Sequence, residues 1–261
     1  MTINLTYEKF GEPSNSTVVL IHPFPFRAEF WQATAPQIAE AGFQVIAPNL
    51  RGCADSPSDD ADADINLLAA DIWELLDRLD ISKVTIMGVS LGGYVTLAML
   101  RARPESVTAL GLIDTKVTAD SPAAIRNRTR IATEIQTELT PPEYALQMLP
   151  TLLSPFTHEH RPEVVTKVQS WISVSKPETI AWLQHAMAGR PDSSSDLAAF
   201  RGKTLLLRGA DDVVTKAEDF NTMNELAQLP TYVEIPNCGH LPPVEDPQRT
   251  VSEIISWLTG E

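Results

Sequence analysis

Residues 83–103 read KVTIMGVSLGGYVTLAMLRAR. The first seven, KVTIMGV, are apolar and rich in β-branched residues and predict a strand. The last thirteen, LGGYVTLAMLRAR, predict an apolar helix. Between them stands Gly88-Val89-Ser90-Leu91-Gly92, a G-x-S-x-G sequence. The bare pattern is common, but strand before and helix after is the setting that a nucleophile elbow requires. There a sharp turn holds the serine in a strained conformation, its hydroxyl projecting above the sheet. Gly92 and Gly93 would let the following helix and a neighbouring strand come close. The plainer reading is a serine that caps a buried helix beside packing glycines. The rest of the chain decides between them.

Outward from this point, short β-rich runs alternate with amphipathic segments. Strands are predicted at 3–10, 17–22, 43–48, 83–89, 107–114, 203–209 and 231–236. Several are apolar nearly throughout, as strands covered on both faces should be. The alternation predicts an α/β fold with a mostly parallel central sheet flanked by helices. In 64–80, Ile65, Leu68, Ala69, Ile72, Leu75, Leu76 and Leu79 share one helical face behind Asp64 as N-cap. Residues 244–258 predict a closing helix with Pro247 in its first turn.

After Asp114 the rhythm stops. From 115 to 200 helical patterns follow one another, most with a proline near the start, and no strand intervenes. Roughly eighty-five residues is far more than one crossover needs, so a helical insertion between two strands is expected. No internal repeat is visible.

Composition narrows the function classes. At 261 residues the chain is one large domain or a domain with an insertion. A formal charge of −14 repels nucleic acid and anionic membrane, so neither is expected as a partner. Two cysteines, Cys53 and Cys238, imply no disulfide framework. The start, MTINLTYEKFGEPS, lacks the basic and apolar regions of a signal peptide, and no apolar run approaches the ~20 residues that cross a bilayer. A cytoplasmic location is the expectation.

A serine hydroxyl needs a neighbouring base to become a nucleophile. Of five histidines, His240 in NCGHLPPVEDP follows the last strand, where a loop can bring it over the sheet edge. His158 and His160 flank Glu159, a thin metal signal that reads better as solvated helix surface, and His185 falls within an amphipathic helix. His22 enters the stretch His22-Pro23-Phe24-Pro25 and reads as a structural hydrogen-bonder. His240 is therefore the candidate base. It needs an acceptor to fix its tautomer, and KTLLLRG runs into ADDVVTK, placing Asp211 and Asp212 at a strand end. The order serine, acid, histidine is that of α/β-hydrolases.

The chain resembles the α/β-hydrolase fold family over nearly its whole length. LIHPFP is similar to its H-G-x-P loop, APNLRGCADS to P-D-x-R-G-x-G-x-S, GVSLGG to the elbow, RGADDVVTK to the acid loop G-x-x-D, and CGHLPPVEDP to the histidine loop. The departures are Pro23 for glycine, Asn49 for aspartate, Ala54 for the second glycine of its segment, and Lys216 for proline. The resemblance implies a core of 1–114 and 201–261 and a helical cap of 115–200. Its G-x-x-D register makes Asp212 the acid, with Asp211 in the turn; a minority of the family would use Asp114 instead. It implies an oxyanion hole from the amides of Leu91 and, in the H-P-F-P loop, Phe24. Pro23 and Pro25 can donate nothing. Whether Phe24–Pro25 is cis is left open.

Met148, Leu149, Leu152, Leu153, Trp171, Trp182 and Met187, with Leu241 beside the base, are candidate pocket walls, and Arg126, Arg128 and Arg130 are candidate partners for a substrate carboxylate. The cap and loops look most similar to 3-oxoadipate enol-lactonase-like enzymes, small carboxylesterases and cofactor-free haloperoxidase-type esterases. The implied activity is hydrolysis of a small carboxylic ester or lactone through Ser90, His240 and Asp212, with no metal or organic cofactor. Epoxide hydrolases and haloalkane dehalogenases of this family carry aspartate at the elbow, where this chain has Ser90. A second class stays open: the same fold serves ligand-binding receptors, lyases and cofactor-independent oxygenases. The oligomeric state is open too.

Overall fold

The computed structural model describes residues 3–260. Seven strands form one sheet: β1 (Tyr7–Phe10), β2 (Thr17–Ile21), β3 (Gln44–Pro48), β4 (Val84–Val89), β5 (Val107–Ile113), β6 (Lys203–Gly209) and β7 (Leu229–Ile235), in the order β1-β3-β2-β4-β5-β6-β7. Only β1 runs antiparallel, against β3, so the sheet is mostly parallel. β2 and β3 are buried at every position, as their unbroken apolar runs require when helices cover both faces. The first strand is shorter than the predicted 3–10, because the chain reaches β3 only at Tyr7.

Among the described residues six α-helices belong to this framework: α1 (Ala35–Glu40), α2 (Ile65–Arg78), α3 (Leu91–Ala102) and, later in the chain, three more described below. α2 forms as its apolar stripe predicts. Asp64 accepts from the Asn66 amide at 2.8 Å, and Ile65, Leu68, Ile72 and Leu76 are buried. Each such side chain contributes roughly 1.5–3 kcal/mol on burial.

Between β5 and β6 lie six helices: α4 (Pro122–Thr137), α5 (Pro141–Leu152), α6 (Pro155–His160), α7 (Pro162–Ser173), α8 (Pro177–Ala188) and α9 (Ser194–Ala199). Five of them begin on proline, where the missing N–H has no intrahelical partner to lose. Ser121, Thr140 and Ser154 cap three of these starts with their hydroxyls. The chain then returns to β6, α10 (Ala217–Leu226) and β7. The predicted closing helix is two: α11 (Pro242–Glu245) and α12 (Pro247–Thr259), broken at Asp246, whose carboxylate caps α12 through the Arg249 amide at 3.1 Å. Residues before a proline are pushed out of helical geometry, which explains the break. Among the described residues, no helix is long and apolar enough to cross a membrane.

Candidate active site

β4 delivers Ser90 at its carboxyl end, and α3 starts at the next residue. Ser90 has φ +53° and ψ −113°, a conformation that costs a non-glycine residue of order 1–3 kcal/mol. The turn is held because the Ser90 amide donates to the Ile113 carbonyl at 2.9 Å and the Thr115 hydroxyl to the Ser90 carbonyl at 2.9 Å. Close approach of backbone makes it feasible. A Cβ at Gly92 would collide with the Ile21 carbonyl, and one at Gly88 with Gly92 itself.

β6 and the loop after β7 supply the other two groups. His240 Nδ1 lies 2.9 Å from Asp212 Oδ2, with both side chains buried. Asp212 Oδ1 also accepts from the Val214 amide at 2.7 Å. Burial opposes ionisation of Asp212, but His240, Asp114 and Val214 outweigh it and hold the carboxyl below its usual range. An ionised acceptor fixes Nδ1 as the donor and turns Nε2 outward as a base. Asp211 is exposed in the turn.

The histidine loop is clamped from below. Glu245, buried, accepts four hydrogen bonds: at Oε1 from the amides of Gly239 (2.8 Å) and Leu241 (3.1 Å), and at Oε2 from the Ser154 amide (2.8 Å) and Thr157 hydroxyl (2.7 Å). The His240 amide itself donates to the Leu152 carbonyl at 2.8 Å. Glu245 was not singled out in the sequence, where it is one carboxylate in VEDP.

Asp114, at the end of β5, has φ +40° and is fully buried. It faces Asp212, and burial followed by the Asp212 charge raises its carboxyl well above the usual range. One ligand atom each from Asp114, Asp212 and His240 lies within 4.8 Å of the others, the one such cluster among the described residues. As a cation site it is poorly built, since the His240–Asp212 hydrogen bond uses the nitrogen and oxygen that an ion would need. The suspected His158–Glu159–His160 group does not converge. His158 bonds the Leu149 carbonyl and His160 the Phe156 carbonyl, both at 3.2 Å, and His185 is exposed.

In the loop after β2, the Phe24–Pro25 bond is cis. Among the described residues neither the Phe24 amide nor the Leu91 amide has a hydrogen-bond acceptor. The Leu91 amide opens α3, where the helix dipole is positive. His22 is structural. Its Nε2 accepts from the Leu50 amide at 3.1 Å, which leaves Nδ1 to donate to the Pro23 carbonyl at 2.9 Å. Burial pushes its pKa down to about 4, so the ring is neutral. Asn49 accepts from the Ala28 amide and donates to the Thr6 hydroxyl, a donation aspartate could not make. Ala54 has φ +48°, which explains why the resembling segment places glycine there.

A cavity of about 390 Å³ opens on Ser90, His240 and Phe24, a size suited to a small ligand. Its far walls are α4, α5 and α8. Met148, Leu152 and Met187 line it, as expected. Five expected walls do not. Trp171 is buried in an aromatic cluster with Phe26 and Phe30. Trp182 turns its indole N–H to the Ala61 carbonyl at 2.9 Å. Leu241 is fully buried inside the histidine loop. Leu149 and Leu153 are buried away from the cavity as well.

Tyr144, Gln147 and Thr151 line it instead, completing with Met148 and Leu152 one stripe of α5 at i, i+3, i+4, i+7 and i+8. The stripe is half polar, so hydrophobicity alone did not mark it. Arg128 and Arg130 reach the wall, but Arg128 is held by Asp120 and Gln184, and Arg130 by Glu134 and Asn127. Gln184 in turn donates to the Tyr144 hydroxyl at 3.0 Å, and burial pushes that phenol up to about 12.

Comparison with known proteins agrees with this fold. The family model described as "Alpha/beta hydrolase family" matches residues 18–253. A solved thermophilic esterase from Thermogutta terrifontis, with malate bound, is 34% identical over 99% of this chain and 94% of its own, with a TM-score of 0.94. Lipase LipV of Mycobacterium tuberculosis is 29% identical over 74% of this chain, and 3-oxoadipate enol-lactonase 2 of Acinetobacter baylyi is 25% identical over 94%. The chain spans 65% of that lipase's length and 90% of that lactonase's, and about a third of some other curated relatives.

Proposed function

The chain belongs to the alpha/beta hydrolase family, and from that premise we propose that it hydrolyses a small carboxylic ester or lactone through an acyl-enzyme on Ser90. The observation that carries this reading is the buried His240–Asp212 hydrogen bond of 2.9 Å, on the same cavity as a serine held at positive φ. His240 Nε2 takes the proton of Ser90 Oγ as that oxygen attacks the carbonyl carbon. Negative charge develops on the carbonyl oxygen, and the Phe24 and Leu91 amides, free of other acceptors, are the donors that would receive it. His240 then gives its proton to the leaving alkoxide. For a lactone that oxygen stays tethered. Water, deprotonated by the same imidazole, cleaves the acyl-serine and returns the proton to Ser90. Asp212 stays ionised throughout. The inserted helices act as the cap, and α4, α5 and α8 shape the acyl or alcohol pocket.

The likeness to esterases and to an enol-lactonase supports the carbonyl substrate class. The test is a fluorophosphonate label with p-nitrophenyl acetate, p-nitrophenyl butyrate and a panel of lactones. Labelling at Ser90 and turnover of at least one substrate are expected. Asp212→Asn should lower kcat by about 10⁴-fold, because the imidazole then adopts the wrong tautomer. Absence of both labelling and turnover sinks the hydrolase reading in favour of a binding or non-hydrolytic protein.

A further inference from the structure

Asp114 is a buried ionisable group for which the triad chemistry has no use, and its surroundings are unusual. β5 and β6 pair in parallel with Ile113 opposite Leu207, and the Asp114 amide continues that pairing to the Leu207 carbonyl at 3.0 Å. This register brings Asp114 against the loop that follows Gly209. Asp114 Oδ1 accepts from the Gly209 amide at 3.0 Å. Asp114 Oδ2 is buried and has no donor to accept from. The neighbouring group is another acceptor: one oxygen of the Asp114 carboxyl lies within 4.8 Å of one of Asp212's.

Two carboxylates at this range in a dry site cannot both ionise. Which one keeps the proton follows from the donors each receives. Asp212 has the His240 ring and the Val214 amide, whereas Asp114 has the Gly209 amide alone. The charge of Glu245 also disfavours a second anion there. Arg208 gives Asp114 no relief, since its guanidinium is held by the carbonyls of Asp212, Ala210 and Thr215 and by Glu234. We propose that Asp114 is a positioning residue, held as the neutral acid, that donates from Oδ2 to the Asp212 carboxylate. The orphan oxygen then has a partner, and Asp212 receives donors from three directions. Its charge and plane are fixed toward His240 without being available to hold the imidazolium too tightly. The assignment rests on the triad reading above.

Three measurements on the full chain test it. The infrared carbonyl stretch of a protonated carboxylic acid should be present at neutral pH and vanish in Asp114→Asn. Asn keeps a donor toward Asp212, so kcat should stay within about 3-fold of the parent. Asp114→Leu removes the donor and should lower kcat by about 10- to 100-fold, the worth of one charge-assisted hydrogen bond. In the leucine variant the acid limb of kcat/KM should also move up by about one pH unit, because Asp212 then stabilises the imidazolium more strongly. No protonated-acid band, or an Asp114→Asn as damaged as Asp212→Asn, overturns the proposal. So does an Asp114→Leu with parental kcat and an unmoved limb. If the leucine variant does not fold, the infrared band and the asparagine variant still decide. The infrared measurement does not depend on turnover. A chain that hydrolyses nothing therefore overturns the triad reading and leaves the carboxyl pair to be judged separately.

Discussion

At the scale of single residues, His22 shows how a burial pattern becomes a pH dependence. Its ring is fully buried and both nitrogens are committed to the backbone, so protonation would break the Leu50 contact and place an unsolvated charge in the core. The folded pKa of about 4 lies below the ordinary value of 6.5. A depressed folded value means that the stability is complete above about pH 6.5 and is lost as the pH falls toward 4. The loss from His22 alone is about 3 kcal/mol. Urea denaturation at pH 7 and pH 4.5 reads this directly. His22→Gln should be less stable than the parent at pH 7, yet its stability should change less between the two pH values. An equal change in both proteins would refute the assignment. Asp114 and Asp212 make the complementary point: two chemically identical side chains take different protonation states because one receives more donors than the other.

At the scale of elements, the geometry of the candidate site depends on where helices and loops are tied. α11 is a single turn, and its last residue, Glu245, joins the loop that carries His240 to the start of α6. Every acceptor position on that carboxylate faces a donor. In Glu245→Gln an amide NH₂ must point at two of those donors. The expected cost is about 3 kcal/mol in stability, as for a lost hydrogen bond to a buried charge. kcat should fall by at least ~10-fold as His240 loses its placement. The urea midpoint and kcat measure the two effects, and a variant unchanged in both would show that the clamp is dispensable. The same elements show why some signals were legible. Proline at N1, a hydroxyl N-cap and the α2 stripe act within one or two turns, so the helices of 115–200 and the strand–turn–helix around Ser90 could be read locally. The break at Asp246 was missed because two short helices share one apolar pattern.

For the molecule as a whole, a buried charge cluster ties the inserted segments to one another, and one of its arginines rests on Tyr94 of α3. Asp120 accepts from Arg190 at 2.9 Å and from Arg128, and all three are largely buried. Arg190 lies over the Tyr94 ring, 3.9 Å from its centre, and donates to the carbonyls of Met187 and Thr118. Burial opposes ionisation of Asp120, but the two guanidinium groups outweigh it and hold its carboxyl below the usual range. Stability from this site is therefore present above the ordinary aspartate value and lost as the pH falls through the lowered one. Asp120→Asn leaves Arg190 charged and buried, so a loss of about 3–5 kcal/mol is expected at neutral pH. Thermal or urea denaturation checks it, and a loss under about 1 kcal/mol would mean that the arginines find other partners.

What the sequence determined by itself is the α/β alternation, the order of the motifs and the place of Ser90 at a strand-to-helix turn. These follow from periodicity and turn chemistry, which act over a few residues. The tertiary structure decided what depends on long-range registration. The pairing of β5 with β6 put Asp114 against Asp212, almost a hundred residues away in the chain. The packing of α5 turned Tyr144 and Gln147 into the cavity, while the aromatic cluster took Trp171 out of it. A buried polar group is stable only where distant backbone supplies its partners. No local pattern records which distant backbone that will be.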